Sequence, residues 1–195
     1  MARRRPGLIR PILSIAAAAA LGSAARDRRV AEADEKARAL VASARSNAFD
    51  TAMPALTDLG STYAIVAAAG VLQLLGRKRA ALDVLVAGGL AWTASQAAKA
   101  LYRRPRPYEA SQVDILVRRP AGQSYPSGHP AVAAAVARVL APSVHEPARG
   151  LLTKMPRLVA FSRVYVGVHY PTDVVGGMLL GRAVGDLYRR YARRP

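Results

Sequence analysis

The sequence predicts an all-α bundle of about six transmembrane helices with an extra N-terminal amphipathic helix. Two observations lead there. Apolar segments recur at close to the ~20 residues that cross ~30 Å of hydrocarbon, among them 59–75 and 80–102. Basic residues then punctuate these segments instead of lining one helix face. Of the 195 residues 52% are hydrophobic, and 29 basic against 12 acidic side chains give a net charge of +17. Such a charge suits nucleic-acid binders or proteins on anionic membranes. Only 6% of residues are aromatic, and they form no base-stacking pattern, so nucleic acid is excluded and anionic lipids are the expected neighbours. The mean hydropathy of +0.11 is low for a membrane protein because polar connections and arginine-rich ends dilute it. No cysteine is present, which removes disulfides and thiolate metal sites.

The elements follow in order. Arg3, Arg4 and Arg5 precede an apolar run from Leu8 to Ala25, interrupted by Arg10 and Pro11. This reads either as a cleaved signal peptide or as a first short membrane helix, and the hydrophobic segments that follow favour a retained helix. In residues 26–50, Ala33, Ala37, Leu40, Val41 and Ala44 share one helical face. Glu32 with Lys36 and Asp34 with Arg38 form i, i+4 pairs on the other. This helix is too polar to span. It is expected at the membrane interface or on the outside of the bundle, with a solvated connector as the alternative. Spans are expected at 59–75 and 80–102, followed by a polar connection over 103–125. A short alanine-rich helix covers 127–140, a basic connection 142–156, and two further helices 157–168 and 172–188. The chain is read as one domain, with 1–58 as an N-terminal helix and amphipathic segment and 59–195 as the core. Gly177, Gly181 and Gly185 recur every four residues on the last helix. Small residues at that spacing let helix backbones approach closely, within the bundle or in a homodimer.

With six spans, the termini and the connections at 76–79 and 142–156 share one side. That side carries Arg3, Arg4, Arg5, Arg10, Arg77, Lys78, Arg79, Arg149, Lys154, Arg157, Arg189, Arg190, Arg193 and Arg194. These short basic segments point to the cytoplasm, by a margin that the basic residues of 26–45 and 99–119 on the opposite side narrow.

Three stretches fall on the opposite face. In the first, Lys99 to Pro107, Pro105 stops a helix and Arg106 stands between two prolines. Lys99 lies deeper in the span than a snorkelling residue needs and is a functional candidate. Arg103 and Arg104 read as ordinary snorkelling side chains at a membrane edge. The second is Tyr125 to Pro130. Ser127 can cap the helix that starts there, its free N–H groups beside Gly128 make an anion site, and His129 could protonate a leaving oxygen. A plain capped helix start with an incidental histidine remains the alternative. In the third, Arg163 to Asp173, a carboxylate four residues after His169 could orient the ring, and Arg163 could clamp an anion.

Together, Lys99-x6-Arg106-Pro107, Pro126-Ser127-Gly128-His129 and Ser162-Arg163-x5-His169-x3-Asp173 resemble the tripartite signature of the type 2 phosphatidic acid phosphatase superfamily, without departure over 99–173. The resemblance implies catalytic roles for His169 as nucleophile, Asp173 as its orienting carboxylate and His129 as general acid. It implies substrate binding by Lys99, Arg106, Ser127, Gly128 and Arg163, and neither metal nor cofactor. The implied protein is an integral membrane lipid phosphatase of the bacterial plasma membrane, its site on the non-cytoplasmic face. Its substrates would be polyprenyl phosphates or diphosphates, prenyl-linked sugar phosphates, phosphatidic acid or phosphatidylglycerol phosphate. A lipid phosphotransferase on the same scaffold and a catalytically silent membrane scaffold are the alternatives. The short 103–125 connection implies an open, shallow site. His145, in a loop at the far side, is given no role.

Overall fold

The computed structural model describes residues 7–192. Arg3, Arg4, Arg5, Arg193 and Arg194, counted above toward sidedness, lie outside the described residues. Every regular element among the described residues is helical: α1 (Ile9–Ala24), α2 (Arg28–Ser43), α3 (Asn47–Asp58), α4 (Thr62–Leu74), α5 (Lys78–Tyr102), the single turn α6 (Pro107–Ala110), α7 (Gly128–Leu140), α8 (Ala148–Tyr165) and α9 (Pro171–Tyr191).

Local chemistry sets the ends. Asp27 caps α2 by accepting from the backbone N–H of Arg29 at 2.8 Å. Ser61 caps α4 through Ala64 N–H at 3.1 Å. Helix α5 stops where Arg103 takes a left-handed conformation (φ 47°) ahead of Pro105. Helix α9 begins with Pro171 in its first turn, and Asp173 reaches back to the Tyr170 N–H at 2.9 Å, completing a capping box.

Helix α7 is the centre of the bundle, buried from Pro130 to Ala137 and again at Val139. Helix α9 lies against it through the glycine stripe. A Cβ on Gly177 would stand 2.2 Å from the Ser127 carbonyl oxygen, and one on Gly181 would stand 2.0 Å from that of Ala131. The close approach is thus made within the chain, by its own α7. Helix α1 covers the other side of α9, α5 packs on α7, and α4 on α5. Helix α8 joins α7 to α3 and α9. Helices α1, α5, α7, α8 and α9 thus make the packed bundle, with α4 against α5. At one end α2 and α3 cover the end of α8, and α2 the start of α9. At the other, Arg77 donates to the Ser143 carbonyl at 2.9 Å and Tyr188 to Asp83 at 2.8 Å.

Several boundaries differ from the sequence reading. The stretch 26–50 is not one helix: it breaks before Asn47, and α3 then meets α4 at a bend of 67°. The polar face of α2 does not point outward. Asp34 and Arg38 are buried, while Ala33, Ala37, Leu40 and Ala44 are exposed. Arg38 pairs with Glu35, not with Asp34, and Glu32 with Arg28, not with Lys36. A partner for Asp34 from another helix outweighed the local i, i+4 pairing. The basic connection expected at 142–156 is shorter, because α8 begins at Ala148 and carries Pro156 inside. Judged singly, no described helix is both long and apolar enough to cross a membrane, although α3 and α4 meet that measure as a bent pair. The reason lies in what the bundle encloses. Asp83, Lys99, Arg163, Asp173 and Asp186 are buried, and Ile12, Leu13, Val66, Leu74, Leu85, Leu90 and Leu158 are exposed. Buried charges among an apolar core, together with an apolar exterior, depart from the usual distribution of a water-soluble domain.

Candidate active site

The covered end of the bundle brings together the candidate site residues of the three motif stretches. His169 sits in the connection between α8 and α9, held open by Gly167 at φ 83°. A Cβ on Gly167 would meet the Asp114 carbonyl oxygen at 2.7 Å, so glycine is required twice over, by conformation and by space. The imidazole is 2% exposed. Its Nδ1 lies 3.5 Å from Asp173 Oδ2 and 3.3 Å from Ser124 Oγ. Ser124 in turn donates to the same Asp173 oxygen at 2.5 Å. That arrangement assigns the proton to Nδ1 and leaves the Nε2 lone pair facing Arg106 Nη1 at 3.2 Å. Burial first, then the charges of Arg106, Arg163 and Lys99, lower the pKa of the His169 ring well below its ordinary value, which keeps it neutral and able to act as a nucleophile.

A ring of cations surrounds this nitrogen. Lys99, one turn before the end of α5, donates to the Gln123 carbonyl and lies 3.4 Å from that of Ser124. The Arg106 fork is aimed by three carbonyls, of Gly122 (2.8 Å), Val168 (3.1 Å) and Ala121 (3.3 Å). Arg163 donates to Thr57 Oγ1 at 3.1 Å, while its Nε is buried without a hydrogen-bond partner in the chain. Ser127 Oγ is the second such atom, because the serine does not cap α7 as its position predicts. Its backbone N–H donates to the Asp173 carbonyl at 3.0 Å instead, tying α7 to α9. Two buried polar atoms without partners at one site are what an anion-binding centre leaves open.

Lys99, Arg106, Gly128, His129, Arg163 and His169 all line one cavity of about 280 Å³, with Asp58, Tyr63, Trp92 and Gln96 toward its mouth. The cavity opens to the outside at that mouth, but its cations lie deeper than the short 103–125 connection implies. Segment 120–124 folds over the cations and supplies the carbonyls that aim them, leaving Arg106 only 3% exposed.

Arg104 is the principal residue that the sequence reading misplaced. It does not snorkel. Its guanidinium is buried, donating to Asp173 Oδ1 at 2.8 Å, Thr172 Oγ1 at 2.6 Å and Asp34 Oδ2 at 2.7 Å, and it lies 4.3 Å from the centre of the Tyr170 ring. Asp34 also accepts from the Thr172 hydroxyl at 2.5 Å and its N–H at 3.0 Å. A carboxylate on α2 is thereby linked through one arginine to the carboxylate behind His169. The left-handed turn at Arg103 separates the two neighbours, with Arg103 exposed and Arg104 turned inward. Removing one member of a buried ion pair costs about 3–5 kcal/mol. Arg104→Met should therefore lower the melting midpoint far more than Arg103→Met. Equal midpoints for the two variants in a thermal scan would show that the link contributes nothing.

A family model for the PAP2 superfamily matches residues 80–194. The chain belongs to the PAP2 superfamily. It is 39% identical over 117 residues to the decaprenylphosphoryl-5-phosphoribose phosphatase of Mycolicibacterium smegmatis, a match spanning 59% of this chain and 62% of that protein. It is 31% identical over 153 residues to the undecaprenyl-diphosphatase BcrC of Bacillus subtilis, spanning 75% and 77%. Among solved structures, the transmembrane PAP2 type phosphatidylglycerolphosphate phosphatase of Bacillus subtilis superposes with a TM-score of 0.78 at 28% identity, over 91% of this chain and 93% of that one. LpxE of Aquifex aeolicus superposes with a TM-score of 0.72 at 27% identity, over 80% and 94%. The PAP2 match takes in all three motif stretches but begins after α1 to α4, so Asp34 and Thr57 reach the site from outside the matched segment.

Proposed function

We propose that this PAP2 protein is an integral membrane phosphatase that removes phosphate from a lipid phosphate through a phosphohistidine on His169. The observation that carries the reading is the buried His169 ring, backed by Asp173 and Ser124 and sharing one cavity with Lys99, Arg106 and Arg163. Nε2 attacks phosphorus, and the bond from phosphorus to the lipid oxygen breaks. His129, on the wall of the same cavity, is assigned to give a proton to that oxygen, protonated once the charge of the bound phosphate offsets the cations around the ring. Water then attacks the phosphohistidine, His129 takes the water's proton, and inorganic phosphate leaves. The three cations, the Ser127 hydroxyl and the start of α7 at Gly128 face charge that spreads over the phosphoryl oxygens. In this reading the cations of the chain supply that charge, and the reaction is written without a metal.

The apolar exterior and the transmembrane relatives support a lipid whose tail lies in the bilayer. Polyprenyl diphosphates and prenyl-linked sugar phosphates are the first substrates to test, given the relatives that act on them. Purified protein should release phosphate from a polyprenyl diphosphate in EDTA and be inhibited by vanadate, which imitates pentacoordinate phosphorus. Activity lost in EDTA and restored by magnesium would sink the metal-independent mechanism. A panel that includes phosphatidic acid and phosphatidylglycerol phosphate identifies the head group. The chain is best treated as a single domain, because Asp34 in 1–58 is bonded to Arg104 and Thr172 in 59–195.

The site is assigned to the non-cytoplasmic face. Arg77, Lys78, Arg79, Arg149, Lys154, Arg189 and Arg190 gather toward the opposite end, the distribution expected of a cytoplasmic side. In this cysteine-free chain, Ser111→Cys should react with a membrane-impermeant thiol reagent in intact cells, and Ala192→Cys should not. The reverse labelling pattern would place the chemistry on the inner leaflet.

A further inference from the structure

A second cavity, of about 350 Å³, opens on the flank of the bundle between α7, α8 and α9. It shares no lining residue with the cavity at His169. Ala134, Ala137, Pro156, Met178 and Leu179 give it apolar walls, and Arg138, Arg157 and Arg182 bring charge into it. Arg138 is committed to Asp186 at 2.9 Å. Arg157 and Arg182 are exposed and form no ion pair among the described residues. Leu151, Leu158, Phe161 and Val175 face outward around them, with Thr153 and Lys154 the exposed polar neighbours on α8.

Cationic side chains on the lipid-facing side of a bundle are expensive unless they reach the interface or find an anion. Snorkelling accounts for one arginine on one helix. It does not account for two, from α8 and α9, converging on one apolar slot. We propose that this slot binds an anionic phospholipid, with its phosphate between Arg157 and Arg182 and an acyl chain along Ala134, Met178 and Leu179. Two guanidinium forks match the oxygens of a phosphate, and the slot continues the greasy exterior that holds the chain. A zwitterionic lipid fits less well, since its own ammonium would stand near two arginines. The inference rests on the membrane part of the proposed function and not on its catalytic part.

The test uses the full chain in detergent, with thermal midpoints measured in phosphatidylglycerol, phosphatidylcholine and inorganic phosphate. Phosphatidylglycerol should raise the midpoint by several degrees more than phosphatidylcholine, as a ligand of the native state does. Inorganic phosphate alone should do nothing. Arg157→Gln/Arg182→Gln should lose most of the phosphatidylglycerol shift yet release phosphate from lipid substrate at the wild-type rate. Arg77→Gln/Lys78→Gln, which removes the same charge elsewhere, should keep the shift. An equal shift in inorganic phosphate, or equal loss in the two double variants, overturns the proposal. Should the Arg157/Arg182 variant not fold, Leu179→Trp in a Trp92→Phe background keeps both arginines. Its emission should be quenched more by brominated phosphatidylglycerol than by brominated phosphatidylcholine, and equal quenching also overturns the proposal.

Discussion

His169→Ala should release phosphate at less than roughly a thousandth of the wild-type rate, the scale of loss when the nucleophile of a covalent mechanism is removed. The substitution deletes the Nε2 that faces Arg106 and leaves the cations in place, since Arg106 is aimed by carbonyls and Lys99 by Gln123 and Ser124. The protein should therefore remain folded and still bind vanadate or phosphate, though weakly. Brief incubation with phosphate-labelled substrate should give an acid-labile, base-stable protein label in wild type and none in the variant. Asp173→Asn should lose less, because the ring stays and Ser124 still touches Nδ1. A His169→Ala protein that keeps more than a few per cent of turnover would remove the histidine from the reaction.

Gly181→Leu should prevent α7 and α9 from docking, with little folded protein recovered. Even the Cβ of Gly181→Ala would fall 2.0 Å from the Ala131 carbonyl oxygen, and backbone cannot swing aside as a side chain can. Overpacking a well-filled contact costs about 1–3 kcal/mol and more where backbone must move. The site should suffer with the packing, because the Ser127 N–H bond to the Asp173 carbonyl crosses the same interface. Gly70→Ala is the control. Gly70 is exposed on α4, and a methyl group there would find nothing within 4 Å. Alanine at that position should be neutral or stabilising by up to about 1 kcal/mol. If Gly181→Ala and Gly70→Ala melt alike, the close approach of the two helices is not what holds the bundle.

The sequence showed which residues would meet at the site. Lys99, His129, Arg163 and His169 stand at ends of helices that alternate in direction, so order and apolar length were enough to bring them to one end of the bundle. Glycine spacing likewise located the closest helix contact. What escaped was everything decided outside a helical repeat. Arg104 follows a left-handed residue, where helical periodicity no longer says which way a side chain points. Ser124 lies in a loop whose path depends on the carbonyls it offers to Lys99 and Arg106. Local spacing matches Asp34 to Arg38, and its true partner is seventy residues away in sequence. The polar connection implies a shallow site for the same reason: its length is legible in the sequence, and its fold over Arg106 is not.

The link from Asp34 to Arg104 bears on how this protein can be recombined with its relatives. The segment 80–194 looks like a transplantable unit, since it alone carries the three motifs. Grafted behind a foreign N-terminal segment without a carboxylate at the place of Asp34, it would strand one side of the Arg104 guanidinium in a closed interior. The graft would also loosen the backing of Asp173 without touching any motif residue. Chimeras should keep Asp34 and Arg104 together, and a hybrid that fails with all three motifs intact can be repaired first at that pair.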